Sequence, residues 1–183
     1  MKPSILFFPY FVISLLLLHH STSGTDPIFE YCDEAANRDP NFTRDFCVAA
    51  FQDHPEAQTI STLEDLAAVS IDLATSNATS VVSVVKSLLK KKDIDRYTEA
   101  ALKDCYELYS DAASSLGDVM EDVKAKDYVT ANFHTSAAMD ASSTCEDGFK
   151  EKEEQGIVSP LTKENTCFFQ LTAIVLTFMA MLS

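Results

Sequence analysis

Apolar residues recur at steps of three and four along most of the chain, which is the period of amphipathic helices. This period is found over residues 58–90. It is also found over 128–153, where smaller residues form the stripe. Ser159-Pro160 then gives the residue order typical of the start of a further helix. The clearest stripe runs over 95–124 and consists of Tyr97, Ala101, Cys105, Leu108, Ala112, Leu116, Val119 and Val123. The pattern predicts four long helical segments.

A shorter and less regular pattern precedes them. Asp39-Pro40 and His54-Pro55 break residues 26–55 into short helices and turns. Ser61 and Glu64 have the spacing of a capping box at the start of the first long helix. Lys90-Lys91-Lys92 follows that helix, where positive charge suits the negative end of the helix dipole. The sequence therefore predicts a short N-terminal piece followed by long helices.

The first 24 residues have the composition of a signal peptide. Met1-Lys2-Pro3 is a short basic start, 5–18 is an apolar core, and 21–24 supplies small residues for cleavage. The apolar core is short for a membrane span. Two glycosylation sequons begin at Asn41 and Asn77, in keeping with a secreted chain. We expect a secreted glycoprotein.

The C-terminal segment leaves two interpretations open. Residues 167–182 are almost wholly apolar, but the run is a few residues short of a membrane span. It is either a helix of the bundle or the apolar tail of a lipid-anchor signal.

Five cysteines in a secreted chain indicate disulfides. Cys105 and Cys145 lie on the apolar stripes of successive helices, equally far from the loop between them. An antiparallel hairpin therefore places them level and within bridging distance. Cys32 and Cys47 then form a local bridge, and Cys167 is left as a buried free thiol or an intermolecular bridge.

Charge and motif content exclude several classes of function. The net charge of −14 argues against nucleic acid or an anionic membrane as a partner. After the leader only His54 and His134 remain, and the chain contains no zinc-ligand spacing, glycine-rich phosphate loop or nucleophile elbow. We expect no catalytic residues, no metal and no cofactor, and hence no enzyme.

Several local strings, together with the cysteine arrangement, resemble a known family. They are Lys126-Asp127-Tyr128, Ala137-Ala138-Met139-Asp140, the run from Thr144 to Lys152, the run from Gly156 to Asn165, and Gln170-Leu171-Thr172-Ala173-Ile174. The chain resembles the plant invertase and pectin methylesterase inhibitor family, most closely the branch of invertase inhibitors that includes a plane-tree pollen allergen.

This resemblance implies an all-α fold, an up-and-down four-helix bundle preceded by a short α-helical hairpin, with two disulfides. The signal peptide would cover 1–24, the hairpin 25–57 and the bundle 58–183. It favours the bundle-helix interpretation of the C-terminus, with no membrane contact in the mature form.

The resemblance also implies a non-catalytic protein that blocks the active-site cleft of a secreted carbohydrate-active enzyme. The expected target is a cell-wall or vacuolar invertase (beta-fructofuranosidase), and the expected location is the apoplast or cell wall. Two alternatives remain open: an inhibitor of pectin methylesterase on the same scaffold, and a secreted binding or allergen-type protein without inhibitory activity.

The target-binding residues follow from the same resemblance. Invertase inhibitors resemble one another in a Pro-Lys-Phe tripeptide near the start of the third bundle helix, whose lysine enters the sugar pocket. The corresponding window here is Lys126, Asp127, Tyr128 and Val129, which lacks that tripeptide. Because a lysine carries a compact charge on a flexible stem, Lys126 remains able to reach a carboxylate-lined pocket.

Overall fold

Six α-helices make up most of the chain that the computed structural model describes, namely residues 26–57, 59–151 and 153–183. The predicted signal peptide over 1–24 lies outside these residues. A 3-10 turn at Glu153–Gln155 precedes the last helix. The helices are α1 (Pro27–Arg38), α2 (Arg44–Gln52), α3 (Leu63–Leu88), α4 (Arg96–Lys124), α5 (Tyr128–Lys150) and α6 (Thr162–Leu182).

The four long helices, α3 to α6, form an up-and-down bundle. Each packs against its neighbour in the chain, and α6 returns to pack against α3, which closes the ring. The short connection between α4 and α5 makes these two helices antiparallel neighbours. The core between the helices includes Ile71, Val81, Leu102, Tyr109, Leu116, Phe149, Phe168 and Met179.

The N-terminal helices α1 and α2 form a hairpin that packs over α3 and α6 around a second core. Phe51 of α2 meets Phe178 of α6 there, with ring centroids 6.1 Å apart. The expected all-helical fold, with a helical pair in front of four long helices and two disulfides, is confirmed.

The apolar C-terminal segment is the fourth helix of this bundle. By length and composition alone, α3 and α6 are both apolar enough to cross a membrane. The packing accounts for the composition of α6. One side of this helix enters the bundle core through Phe168, while another enters the second core through Ile174 and Phe178. A helix buried on two sides needs little polar surface.

The two disulfides join Cys32 to Cys47 and Cys105 to Cys145, with Cα atoms 5.7 and 5.0 Å apart. The first closes the α1–α2 hairpin and the second ties α4 to α5. Cys167 on α6 is a free, partly exposed thiol. Asn77 Nδ2 of α3 lies 3.6 Å from its sulfur, and burial raises the pKa of this thiol.

The capping box of α3 differs by one residue from the prediction. Thr62, in an extended conformation, accepts a 3.1 Å hydrogen bond from the Asp65 amide, and the Asp65 carboxylate accepts a 3.0 Å bond from the Thr62 amide. The predicted pair of Ser61 and Glu64 is therefore wrong. Because Ser-Thr and Glu-Asp each stand side by side, spacing alone fits both registers. The Ser61 amide instead donates a second backbone hydrogen bond to Asp65.

Candidate functional site at the tip of the α4–α5 hairpin

The chain reverses between α4 and α5 through a tight helix-ending motif. The Lys126 amide donates to the Val123 carbonyl oxygen, and the Asp127 amide donates to the Asp122 carbonyl oxygen, each over 2.9 Å. This pair of bonds is the Schellman arrangement, whose penultimate residue must adopt a left-handed conformation. Lys126 takes that position, with a φ of 60°. The sequence-predicted window thus begins at the outermost point of the hairpin.

Lys126 occupies a position that glycine fills more easily. It is the one non-glycine residue with a positive φ among the residues that the structure describes. A side chain in this conformation costs about 1–2 kcal/mol, because its Cβ approaches the following carbonyl oxygen. The side chain is exposed, and its ammonium group forms no ion pair with any described residue. The tip therefore presents an uncompensated positive charge on a strained backbone.

Asp127, the next residue of the window, caps the first turn of α5. Its carboxylate accepts a 3.1 Å hydrogen bond from the Thr130 amide and a 2.8 Å bond from the Thr130 hydroxyl. The backbone bond from Thr130, more than any other contact, lowers the pKa of this carboxyl. Asp127 therefore stays ionised at mildly acidic pH, and its oxygens are engaged within the protein.

The remaining two residues of the window differ in exposure. Tyr128 is half-buried, whereas Val129 is 82% exposed. One turn further along α5, Phe133 is 71% exposed. Lys126, Val129 and Phe133 are accessible residues close together in the chain, and we call this group the tip surface.

Phe133 was not among the residues predicted to bind a target. The signal was present in the periodicity, because Phe133 lies between the core positions Ala131 and Thr135. On an α-helix, a residue that is two positions from each of two core residues lies on the opposite face of the helix, away from the protein core. A large aromatic side chain at such a position is an exposed apolar group that folding does not require.

A histidine–carboxylate contact joins α4 to α5 near the tip of the hairpin. His134 Nδ1 of α5 lies 2.8 Å from Asp122 Oδ2 in the last turn of α4, and both side chains are partly buried. Together with the Cys105–Cys145 bridge, this contact fixes α5 against α4. The tip surface therefore sits on a firmly braced hairpin.

The two predicted glycosylation sites have different surroundings. Asn41 is exposed in the turn between α1 and α2. Asn77 lies in the middle of α3, with its Nδ2 directed at the sulfur of Cys167 and its Oδ1 buried without a hydrogen-bond partner. Attachment of a glycan requires access to Nδ2. Of the two predictions, we therefore retain Asn41 as a proposed site.

The described residues include no group of three or more histidine, cysteine, aspartate or glutamate side chains placed to hold a metal ion. The tip surface therefore offers contacts for binding a partner, namely the ammonium of Lys126 and the apolar side chains of Val129 and Phe133.

Comparison with known proteins agrees with this arrangement. Residues 28–178 match the family model described as plant invertase/pectin methylesterase inhibitor. The chain is 43% identical over 166 residues to a Platanus acerifolia protein named "Putative invertase inhibitor", covering 91% of this chain and 90% of that protein. It is 34% identical over 171 residues to "Pectinesterase inhibitor 12" of Arabidopsis thaliana, covering 93% and 96%.

The fold has a counterpart among solved structures. A mutant form of a pectin methylesterase inhibitor from Arabidopsis superposes with a TM-score of 0.67 at 22% identity, covering 86% of this chain and 97% of that one. At this identity the likeness concerns the fold alone, whereas the family match spans most of the chain. The chain belongs to the plant invertase/pectin methylesterase inhibitor family, a family of enzyme inhibitors and not of enzymes.

Proposed function

We propose that this protein is a secreted inhibitor of a plant invertase and that its tip surface enters the active-site cleft of that enzyme. The observation that carries the proposal is the unpaired ammonium of Lys126 at the end of the bundle, held in a left-handed conformation. Strained conformations of this kind cluster at functional sites, where the surrounding structure holds them in place. Glycoside hydrolases generally act through a pair of carboxylates, and a free cation complements such a pair.

The apolar part of the tip surface supports the same role. Val129 and Phe133 are exposed large apolar side chains on adjacent turns of α5. Aromatic side chains that become buried on binding contribute strongly to protein–protein affinity. We infer that Phe133 contacts the rim of the cleft while Lys126 reaches inside it.

Rigidity adds to the affinity expected of this surface. The Schellman bonds, the His134–Asp122 contact and the Cys105–Cys145 bridge all restrain the hairpin before any partner arrives. A preorganised surface loses less conformational entropy on binding. A tip that keeps its shape fills the active-site cleft of the enzyme and blocks the access of substrate.

Inhibition of a pectin methylesterase is the second candidate. It is favoured by the 34% identity to a protein named as a pectinesterase inhibitor over 93% of this chain. An enzyme with an open cleft would contact the outer face of α5 over a longer distance. Beyond Phe133, the exposed residues on that face include Ala137, Asp140 and Thr144.

An assay of both enzymes separates the candidates. The mature, oxidised protein is titrated into a plant cell-wall invertase and into a plant pectin methylesterase at the acidic pH of the cell wall. We expect inhibition of the invertase, and Lys126→Gln should weaken it more than Lys103→Gln, which removes a cation already paired with Glu99. Inhibition of the esterase alone would establish the second candidate. Inhibition of neither would overturn both and favour a binding protein.

A further inference from the structure

Positive charge is concentrated in one short segment of this acidic protein. Residues 86–96 contain five of the 14 lysine and arginine residues, in a chain with a net charge of −14. We call this segment the basic loop, since it covers the end of α3, the α3–α4 connection and the start of α4. Its cations are Lys86, Lys90, Lys91, Lys92 and Arg96.

Most of these cations have no acidic partner. Lys90, Lys91 and Lys92 are exposed and form no ion pair with any residue that the structure describes, whereas the charge of Arg96 acts on Glu99 and helps to lower the pKa of that carboxyl. Elsewhere, cations are commonly paired, as in Arg38–Glu34, Arg44–Asp33, Lys103–Glu99, Lys124–Glu121 and Lys150–Asp147. The basic loop therefore carries positive charge that the protein itself does not neutralise.

The two acidic residues within the loop offset only part of the charge of its five cations. The loop contains two carboxylates, Asp93 and Asp95. Asp95 caps α4, accepting hydrogen bonds of 3.0 and 2.9 Å from the amides of Tyr97 and Thr98. Its negative charge is thus directed at the positive end of α4.

The end of α3 does not explain the run of lysines either. Cations stabilise a helix only within its last turn, because the interaction with the dipole falls off rapidly. The helix ends at Leu88, with Leu89 as its C-cap. Lys91 and Lys92 lie beyond that cap, so helix capping leaves their charge unaccounted for.

A cavity of about 520 Å³ adjoins the basic loop. Its polar lining consists of Lys91, Lys92, Thr98 and the two carboxylates of the loop, Asp93 and Asp95. Its apolar lining consists of Leu88, Ile94 and Leu102, with Pro160 from the segment before α6. Leu102 is buried, whereas both lysines are exposed. Small-molecule sites have volumes of roughly 300–1,000 Å³ and combine apolar walls with a few polar groups. The cavity thus offers both cations and apolar surface to a ligand.

We propose that the basic loop and its cavity bind a carboxylate-bearing polysaccharide, a polyuronate, so that the protein attaches to an acidic wall polymer. Lysine ammonium groups are compact charges on flexible stems, which suits carboxylates spread along a chain. The apolar walls suit the C–H faces of sugar rings. The acidic remainder of the surface repels a polyanion and directs it to this loop. The choice of a polysaccharide rests on the proposed extracellular function.

The basic loop is far from the tip surface. They flank opposite ends of α4, which has 29 residues and is therefore about 40 Å long at 1.5 Å per residue. A polymer at one end leaves the other end accessible. The protein can therefore bind its target enzyme while it is attached to the polymer.

Binding to polygalacturonate tests this proposal. The mature, oxidised protein is titrated with immobilised polygalacturonate at low and at high salt. We expect the triple variant Lys90→Gln/Lys91→Gln/Lys92→Gln to bind roughly tenfold more weakly or worse at low salt, with a smaller dependence on salt because fewer counterions are released. The matched control Arg38→Gln/Arg44→Gln/Lys124→Gln removes the same charge from ion-paired positions and should bind like the wild type.

Two further ligands sharpen the result. Fully methyl-esterified polygalacturonate lacks the carboxylates and should bind far more weakly than the free acid. Vesicles containing phosphatidylserine test a lipid surface, and tighter binding to them than to polygalacturonate would overturn the proposal. Equal loss in the triple variant and the control would overturn it as well. Enzyme inhibition by the same triple variant should be unchanged, so a failure here and a failure of the proposed inhibition are separate results.

Discussion

The amide of Lys126 donates a 2.9 Å hydrogen bond to the carbonyl oxygen of Val123, and this bond closes α4 with Lys126 at a φ of 60°. Glycine adopts this conformation without strain. Lys126→Gly should therefore raise the free energy of unfolding by about 1 kcal/mol while weakening inhibition of the target enzyme. Urea unfolding and enzyme titration measure the two effects on the same preparation.

Lys126→Ala is the matched control for that substitution. Alanine removes the ammonium but keeps the Cβ, so inhibition should weaken as in the glycine variant while stability stays near that of the wild type. If neither variant weakens inhibition, Lys126 has no role in binding. If glycine confers no stability beyond that of alanine, the backbone at 126 is not strained.

The exposed apolar side chains of the tip surface should matter for binding and not for folding. Phe133→Ala removes a ring that is 71% exposed, so the free energy of unfolding should change by no more than about 0.5 kcal/mol. Affinity for the enzyme should fall by roughly tenfold or more, as for an aromatic anchor at an interface. The measurement is the dissociation constant of the enzyme complex.

A second valine provides the control for this surface. Val158 is 69% exposed and precedes α6, away from the tip. Val129→Ala should weaken enzyme binding, whereas Val158→Ala should not. Equal effects of the two substitutions would contradict the assignment of the tip surface.

A buried hydrogen bond ties α4 to α6 in the core. The Tyr109 hydroxyl donates to Asn165 Oδ1 over 2.7 Å, and both side chains are buried. Tyr109→Phe leaves that oxygen without this donor and should lower the free energy of unfolding by about 1–3 kcal/mol. Tyr106→Phe, whose hydroxyl bonds to none of the described residues, should cost much less in urea unfolding. A comparable loss in both variants would show that the buried bond contributes nothing specific.

The two disulfides should contribute unequally to stability. Cys105 and Cys145 are separated by 40 residues, whereas Cys32 and Cys47 are separated by 15. Replacing both members of the first pair by alanine should lower the free energy of unfolding by about 2–5 kcal/mol, and the longer closed loop predicts the larger loss. Thermal unfolding of the two double variants compares them. A larger loss from the Cys32–Cys47 pair would contradict this order.

Stability should fall only at strongly acidic pH. Hydrogen bonds lower the pKa values of Asp65, Asp95 and Asp127 at the starts of three helices, led by the Ser61 amide, the Thr98 side chain and the Thr130 amide. A lowered pKa in the folded state gives stabilisation above the unfolded pKa of about 3.9, which is lost as the pH falls through the folded value.

Melting temperatures across this range check the assignment. The wild type should keep its stability from neutral pH to about pH 5 and lose it below about pH 4. The triple variant Asp65→Asn/Asp95→Asn/Asp127→Asn keeps capping side chains without the titrating charge, so its melting temperature should fall less steeply with acid. Identical pH profiles would mean that these caps do not govern acid unfolding.

The fold could be predicted from the sequence because its long helices carry apolar stripes and because Cys105 and Cys145 stand at level positions of a helical hairpin. Helix boundaries near residues 96, 124 and 128 followed from the same pattern. The register of the capping box did not, because adjacent residues of one chemical type fit both registers. The apolar character of α6 was ambiguous from composition, since only the three-dimensional packing reveals that two cores bury it.

The candidate site was accessible only in part. Resemblance identified the window that begins at Lys126, but local composition gave no sign of the left-handed backbone at that residue. The sequence places Phe133 off the apolar stripe of α5, but only the structure shows that its ring is exposed and therefore available for binding. The role of Asp127 as a helix cap depends on contacts with Thr130 that spacing suggests but does not establish.

Competition with substrate tests the central claim most directly. The mature, oxidised protein is titrated into a plant cell-wall invertase at several sucrose concentrations. If the tip surface occupies the active-site cleft, the apparent inhibition constant should rise linearly with sucrose concentration, and Lys126→Ala should raise it further at every concentration. Inhibition that is independent of sucrose, or no inhibition at all, would contradict the account.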